Sequence, residues 1–283
     1  MTHVMACIDG SRASAAVCDY AAWAALKLKS PLTFLHVLPR ILQSMGANLS
    51  GRIGLDAQES LLEELAALDE KRSRLALAQG KLMLESAVER AIRDGVVAPN
   101  MRQRHGDLVE TLVELENDIR LLVIGKQGEE GDRAEQHIGS HVEQVIRTTH
   151  RPVLIALENY REPSRVMLAF DGSATTRKSV EMLAASPLFI GLPCHVVMVG
   201  ADTEDHRAQL DWARVTLENA GHEAVTAIVA GDVEVALRNY QLSEQIDMMV
   251  MGAYGHSRIR QFFVGSTTNH MIINATVPLL VLR

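Results

Sequence analysis

The chain repeats itself, and that repeat limits its architecture more than any other feature. Met5-Ala6-Cys7-Ile8-Asp9-Gly10-Ser11 returns as Met167-Leu168-Ala169-Phe170-Asp171-Gly172-Ser173, 162 residues on. Gly106-Asp107 returns as Gly231-Asp232 at an offset of 125. Val123-Ile124-Gly125-Lys126-Gln127-Gly128 returns as Val250-Met251-Gly252-Ala253-Tyr254-Gly255 at 127, and Pro152-Val153-Leu154 as Pro278-Leu279-Leu280 at 126. Four anchors in the same order define two copies of one unit. The fall in offset from 162 to 125 gives the first copy an excess of 37 residues. A polar, Pro-bearing stretch, Glu158 to Ser164, has no periodicity and divides the chain into domains 1–158 and 164–283.

Within each copy, short apolar runs alternate with helical patterns. In the second, strands are expected at Val166–Phe170, Val196–Val199, Val225–Val229, Met248–Met251 and Leu279–Leu282. In the first they are expected at Val4–Ile8, Leu32–Val37, Met101–Arg104, Leu121–Ile124 and Val153–Leu157. Arg102 and Arg104 mark the third of these as an edge. Near-continuous apolar runs suit parallel strands covered on both faces, and the spacers are long enough for crossover helices. The fold class is therefore α/β, with two tandem doubly wound parallel-sheet domains. The excess falls mostly in residues 39–95: a loop over Arg40–Leu55, then a helix-rich Asp56–Arg93. Leu61, Leu65, Leu68, Leu75 and Leu82 form a stripe there, expected to be core or a helix-packing seam; the alternative is a projecting arm that pairs with another chain. Arg72, Gln79 and the helix-weakening Gly80 argue against a long coiled coil.

Composition removes several functions. With 47% apolar and 22% charged residues the chain is not disordered. A net charge of −7 and 4% aromatics fit neither a nucleic-acid binder nor a base-stacking platform. No run of eighteen apolar residues occurs, so no membrane span is expected. The opening Met1 to Cys7 has no basic stretch leading into an apolar one, so no secretory signal is expected and a cytoplasmic location is. Cys7, Cys18 and Cys194 lack metal-ligand spacing and are expected to be reduced and buried.

The segment richest in chemistry is Gly252-Ala253-Tyr254-Gly255, nine residues, then Gly265-Ser266-Thr267-Thr268. It leaves the end of one expected strand and enters a helix, at the carboxyl edge where open α/β sheets bind ligands. Glycines let backbone N–H groups approach an anion, and a helix opening on hydroxyl residues suits phosphate. His256, Arg258 and Arg260 add positive charge. The plainer alternative is a turn followed by a capped helix. No Walker loop, dinucleotide fingerprint, nucleophile elbow or zinc helix occurs, so a nucleophilic hydrolase is poorly supported.

With Asp171 closing the first strand of its copy and Val277-Pro278-Leu279-Leu280-Val281-Leu282 as the terminal strand, this segment resembles the universal stress protein family, and the resemblance covers both halves. It implies a five-stranded parallel sheet of order 3-2-1-4-5 in each domain, the adenine nucleotide alpha hydrolase-like fold. It also implies that the last strands pair, making the tandem chain a pseudo-dimer, with a homodimer of chains possible. Many members bind ATP, and the G-x2-G-x9-G-[ST] pattern marks that branch, so the cofactor expected here is ATP, or alternatively AMP or ADP, with Mg²⁺ as an option. Carried over, Asp171 lies near adenine and ribose, Val199 flanks the base, and Met251 and Gly252 line the ribose and α-phosphate. Gly255, Gly265, Ser266 and Thr267 hold the phosphates. No catalytic residue and no metal ligand is assigned.

The first copy departs from the pattern. Ten residues, not nine, separate Gly128 from Gly139-Ser140, and His141 stands where Thr267 follows Ser266. Its loop carries Glu129, Glu130, Asp132 and Glu135 against Arg133. Each such charge near a polyphosphate is unfavourable by about 0.5–1 kcal/mol in high dielectric. Asp9, Val37, Gly125, Gly128, Gly139 and Ser140 form at most a weak site. The resulting expectation is a stress or signalling protein that binds an adenine nucleotide in its second domain, with slow or no hydrolysis. A nucleotide-free interaction module working through dimer surfaces, or a carrier of another small or apolar ligand in the first domain, are the alternatives.

Overall fold

The computed structural model describes residues 2–39, 55–128, 140–252 and 266–283. Ten strands form one sheet: β1 His3–Cys7, β2 Leu32–Leu38, β3 Asn100–His105, β4 Ile119–Gly125, β5 Val153–Ala156, β6 Val166–Ala169, β7 Cys194–Val199, β8 Ala224–Val229, β9 Met248–Gly252 and β10 Leu279–Leu282. The helices are α1 Ser14–Leu28, α2 Leu55–Arg93, α3 Leu108–Glu114, α4 Ser140–Thr148, α5 Ala174–Ala185, α6 Glu204–Asn219, α7 Val233–Ser243 and α8 Ser266–Ile273. The sheet order is β3-β2-β1-β4-β5-β10-β9-β6-β7-β8. Each half is therefore a parallel 3-2-1-4-5 sheet.

The halves meet where β5 and β10 run antiparallel, with Leu279 opposite Ile155, Leu280 opposite Leu154 and Val281 opposite Val153. All six side chains are buried, so the junction is continuous with the core. Because the contact is antiparallel, the carboxyl ends of the two sets of parallel strands emerge on opposite edges of the sheet.

Helices α1, α2, α5 and α6 cover one face through Val17, Leu84, Val180, Leu210 and their neighbours. Helices α3, α4, α7 and α8 cover the other through Leu112, Ile146, Leu237 and Ile272. Both apolar layers run across the junction. Cations also cross it: Lys126 Nζ donates to the Ile273 carbonyl at 2.6 Å, and Arg283 Nη1 to the Arg147 carbonyl at 2.7 Å. Each thus meets carbonyls at a helix C-terminus, the negative end of the dipole.

The repeated Gly-Asp anchor is a helix start. Asp107 accepts from Glu110 N at the head of α3, and Asp232 from Glu234 N and Val235 N at the head of α7. The linker is fixed at both ends. Tyr20 Oη donates to the Arg161 carbonyl and accepts from its N–H, while buried Asp247 accepts from Ser164 N, Ser164 Oγ and Arg165 N.

Two expectations need correction. The 55–93 segment is one 39-residue helix, unbroken at Gly80. Of the leucines expected to be core or a helix-packing seam, Leu65, Leu68, Leu75 and Leu82 are exposed, and the Leu61 side chain lies outside the described residues. The face of α2 that meets the sheet instead uses Gly80, Leu84, Ala87 and Ala91, where small residues permit close approach. Burial there selects small side chains, so apolarity alone misidentified the packing face. Cys18 and Cys194 are buried as expected, but Cys7 is only half-buried. β3 is an edge strand as its arginines imply, and Arg102 and Arg104 reach Asp118 and Glu114. The expected loop over 40–54 lies outside the described residues.

Candidate functional site

In a 3-2-1-4-5 sheet the strand order reverses between the first and fourth strands, and a crevice opens at their carboxyl ends. In the first half this lies between β1 and β4, in the second between β6 and β9.

One residue past the first strand of each half comes Asp-Gly-Ser. Asp9 Oδ1 accepts from Ser11 N at 3.0 Å and from Ser14 Oγ at 3.3 Å. Asp171 Oδ1 accepts from Ser173 N at 3.0 Å and from Thr176 Oγ1 at 2.7 Å. The intervening glycines, Gly10 at φ +80° and Gly172 at φ +74°, adopt the left-handed conformation that lets the chain turn so sharply. Each carboxylate is therefore held at the crevice by its own turn.

The fourth strand supplies the opposing wall. A Cβ placed on Gly128 would lie 3.0 Å from Asp9 Oδ2, and one on Gly252 would lie 3.1 Å from Thr175 Cγ2 in α5. Met251 is buried behind Gly252. Gly125 ends β4, Val37 is the penultimate residue of β2, and Val199 ends β7, so these too reach the carboxyl edges. The structure thus brings Asp171, Val199, Met251 and Gly252 to one edge, and Asp9, Val37, Gly125 and Gly128 to the other. Ser266 begins α8 and Ser140 begins α4. The side chains of Ser140, Ser266 and Thr267, and all of Gly139, Gly255 and Gly265, lie outside the described residues.

Two further sets of neighbours lie outside the sequence motifs. Ser14 and Thr176 stand five residues after their aspartates at the same 162-residue offset, a signal present in the repeat. Met83 and Gln209 each lean over the turn glycine: Met83 Sδ lies 2.9 Å from a Cβ position on Gly10, and Gln209 Cδ 2.9 Å from one on Gly172. Their offset of 126 makes them counterparts, a thioether over the first crevice and an amide over the second. Lys126, inside the first glycine pattern, is spent on the Ile273 carbonyl, and burial lowers its pKa. Burial, then the nearby Asp9 charge, pushes the Cys7 thiol up to about 12, which leaves it a poor nucleophile. Beside the first crevice, Ala13, Lys126, Gln127 and Ala156–Glu158 line a cavity of about 140 Å³. That is below the roughly 300 Å³ at which small-molecule pockets begin. No group of three metal-ligating side chains occurs among the described residues.

The model of the universal stress protein family matches residues 1–156 and again 163–283. The chain belongs to that family. A universal stress protein of Synechocystis sp. is 34% identical over 287 residues, covering all of both chains. One from Mycobacterium tuberculosis strain H37Rv is 22% identical over 98% of this chain and 93% of its own. Among solved structures, a universal stress protein from Archaeoglobus fulgidus superposes over 99% of this chain and 98% of its own, with a TM-score of 0.70 at 19% identity. The last of these speaks for the fold.

Proposed function

We propose that the second domain of this tandem universal stress protein binds ATP or another adenine nucleotide in the crevice between β6 and β9. The observation that carries the reading is the approach of Gly252 to α5 beside the fixed Asp171 carboxylate. This happens in the half whose sequence keeps Gly252-x2-Gly255-x9-Gly265-Ser266-Thr267. Asp171 would meet the adenine and ribose, Val199 the base, and Met251 and Gly252 the ribose and first phosphate. Gly255, Gly265, Ser266 and Thr267 would hold the remaining phosphates through backbone N–H groups and the helix N-terminus. A Mg²⁺ ion accompanying the nucleotide would draw most ligands from phosphate and water.

The nucleotide acts as a bound regulatory ligand in stress response or signalling, hydrolysed slowly or not at all. No Walker lysine occurs in the sequence to stabilise charge on a departing phosphate. The first domain binds nucleotide weakly at best through Asp9, Val37, Gly125, Gly128, Gly139 and Ser140. Its role is to complete a cytoplasmic pseudo-dimer through β5 and β10. The exposed leucines of α2 favour an added role as an interaction module.

The test is mass analysis of small molecules released by acid from the purified chain, before and after incubation with millimolar ATP. Adenine nucleotide retained in proportion to protein is expected. Its absence in both samples would overturn the reading.

A further inference from the structure

Helix α8 opens at the phosphate end of the proposed nucleotide site and closes against the other domain. It has eight residues, so it measures about 12 Å at 1.5 Å per residue. Isolated helices shorter than about 12–15 residues are marginal in water, and this one has two turns. Its order therefore depends on what surrounds it. Met271 and Ile272 are buried on its inner face, and His270 Nδ1 lies 3.0 Å from Glu234 Oε1 on α7. At the C-terminal end, Asn274 N donates to the His270 carbonyl and Ala275 N to that of Ile272. The last carbonyl of the helix, that of Ile273, is taken by Lys126 Nζ at 2.6 Å.

Lys126 belongs to the first domain and is the residue after β4. Its reach follows from the antiparallel junction. The carboxyl edge of the first half is the amino edge of the second, so the glycine pattern after β4 stands beside the end of α8. The repeat equates Lys126 with Ala253, which has no amine to return the contact. Arg283 returns it instead, donating from Nη1 to the Arg147 carbonyl in the last turn of α4, and its own counterpart is Leu157. Two positions that the repeat does not equate thus each place a cation on the C-terminal carbonyls of a helix in the opposite domain. The contact is a requirement of the junction rather than a by-product of the repeat.

We propose that Lys126 is a positioning residue for the second-domain nucleotide site, holding α8 so that its N-terminal N–H groups are set for phosphate. This rests on the nucleotide reading given above. A two-turn helix carries the hold to its far end in two ways. Its hydrogen bonds form cooperatively, so fraying that starts at Ile273 reaches the turn that opens at Ser266. The cation also meets the negative end of the dipole whose positive end faces the phosphates. The first domain consequently completes the site of the second.

Calorimetric titration of the full chain and three variants with ATP tests this. Lys126→Met keeps an unbranched stem and removes the cation, and ATP affinity should fall about fivefold, the scale of a charge at a helix terminus. Lys126→Arg puts a cation back and should restore most of the affinity. Arg283→Met removes the corresponding contact on α4 and should leave ATP affinity unchanged, whereas a general weakening of the junction would lower it in both methionine variants. Hydrogen exchange at the α8 amides, measured without nucleotide, should quicken in Lys126→Met and not in Arg283→Met. Wild-type affinity in Lys126→Met, unaltered α8 exchange in that variant, or an equal loss of affinity in Arg283→Met would each overturn the positioning role and leave the nucleotide reading standing. No ATP heat in the wild type would overturn that reading, and the positioning role with it.

Discussion

Thr176 Oγ1 donates a 2.7 Å hydrogen bond to the Asp171 carboxylate, and Ser14 Oγ makes the counterpart bond to Asp9 at 3.3 Å. The same turn recurs in both halves, but the carboxylate of the second is held more closely. A hydrogen bond to an ionised acceptor is stronger than a neutral one, so this contact fixes where the acid points before any ligand arrives.

Thr176→Val removes the donor and keeps the shape. A bond to a charged group contributes about 1.5–3 kcal/mol, and at this partly exposed site the lower figure applies. Both the chemical-denaturation midpoint and ATP affinity should fall, and Thr176→Ser should restore both. Wild-type affinity in the valine variant would show that the orientation of Asp171 does not matter to the ligand.

Gly80→Ala sets two effects against each other. Helix propensity favours alanine by about 1 kcal/mol. The added Cβ, however, would stand 2.5 Å from His36 Cδ2 and crowd the Gln103 amide. His36 is buried and tied by Nδ1 to the Ile8 carbonyl at 2.7 Å, so its ring cannot step aside. Overpacking of this kind costs about 1–3 kcal/mol, and net destabilisation is expected in urea titration. Stabilisation would mean that α2 rides higher over β2 than described.

Asp247→Ala leaves Ser164 N and Arg165 N without their acceptor at the start of β6. A loss of about 3 kcal/mol is expected, read as a lower denaturant midpoint with unchanged slope. A change within about 0.5 kcal/mol, typical of an unconstrained surface site, would contradict the role given to the linker.

Alkaline pH should destabilise the chain. Burial, the largest cause in each case, pushes the Cys18 and Cys194 thiols from 9.0 up to about 12, and raises Tyr20 above its ordinary 10. The folded state then holds protons that the unfolded state has released. This stability is complete below pH 9 and is lost as pH rises toward about 12. Lys126, lowered by burial, acts in the opposite sense below 10.5. Melting temperature should fall over this range, and Cys18→Ala with Cys194→Ala should flatten the fall. An unchanged slope in that variant would remove the thiols from the explanation.

The sheet was legible because burial on both faces leaves unbroken apolar runs such as Met248–Met251 and Leu279–Leu282, and the repeat aligned them twice. The shared edge of Asp171, Val199, Met251 and Gly252 was legible because the strand order forces strand ends together there; the binding roles given to them rest on the family resemblance. The faces of α2 were not. Its packing side is built of glycine and alanine, which carry little hydrophobic signal, while the leucines that do carry one face outward. Gln209 and Met83 escaped notice because a side chain leaning across a turn leaves no spacing rule in the sequence. Lys126 lies within the first glycine pattern, and no spacing in the sequence announces that its amine is taken up by the helix end at Ile273.

Calorimetric titration of the whole chain with ATP bears most directly on the second-domain site. The expected result is one nucleotide per chain, lost in Gly252→Val, whose side chain would crowd Thr175 and lower the melting temperature, while circular dichroism at the titration temperature keeps the native spectrum. No heat at millimolar ATP, or an unchanged stoichiometry in Gly252→Val, would contradict the assignment.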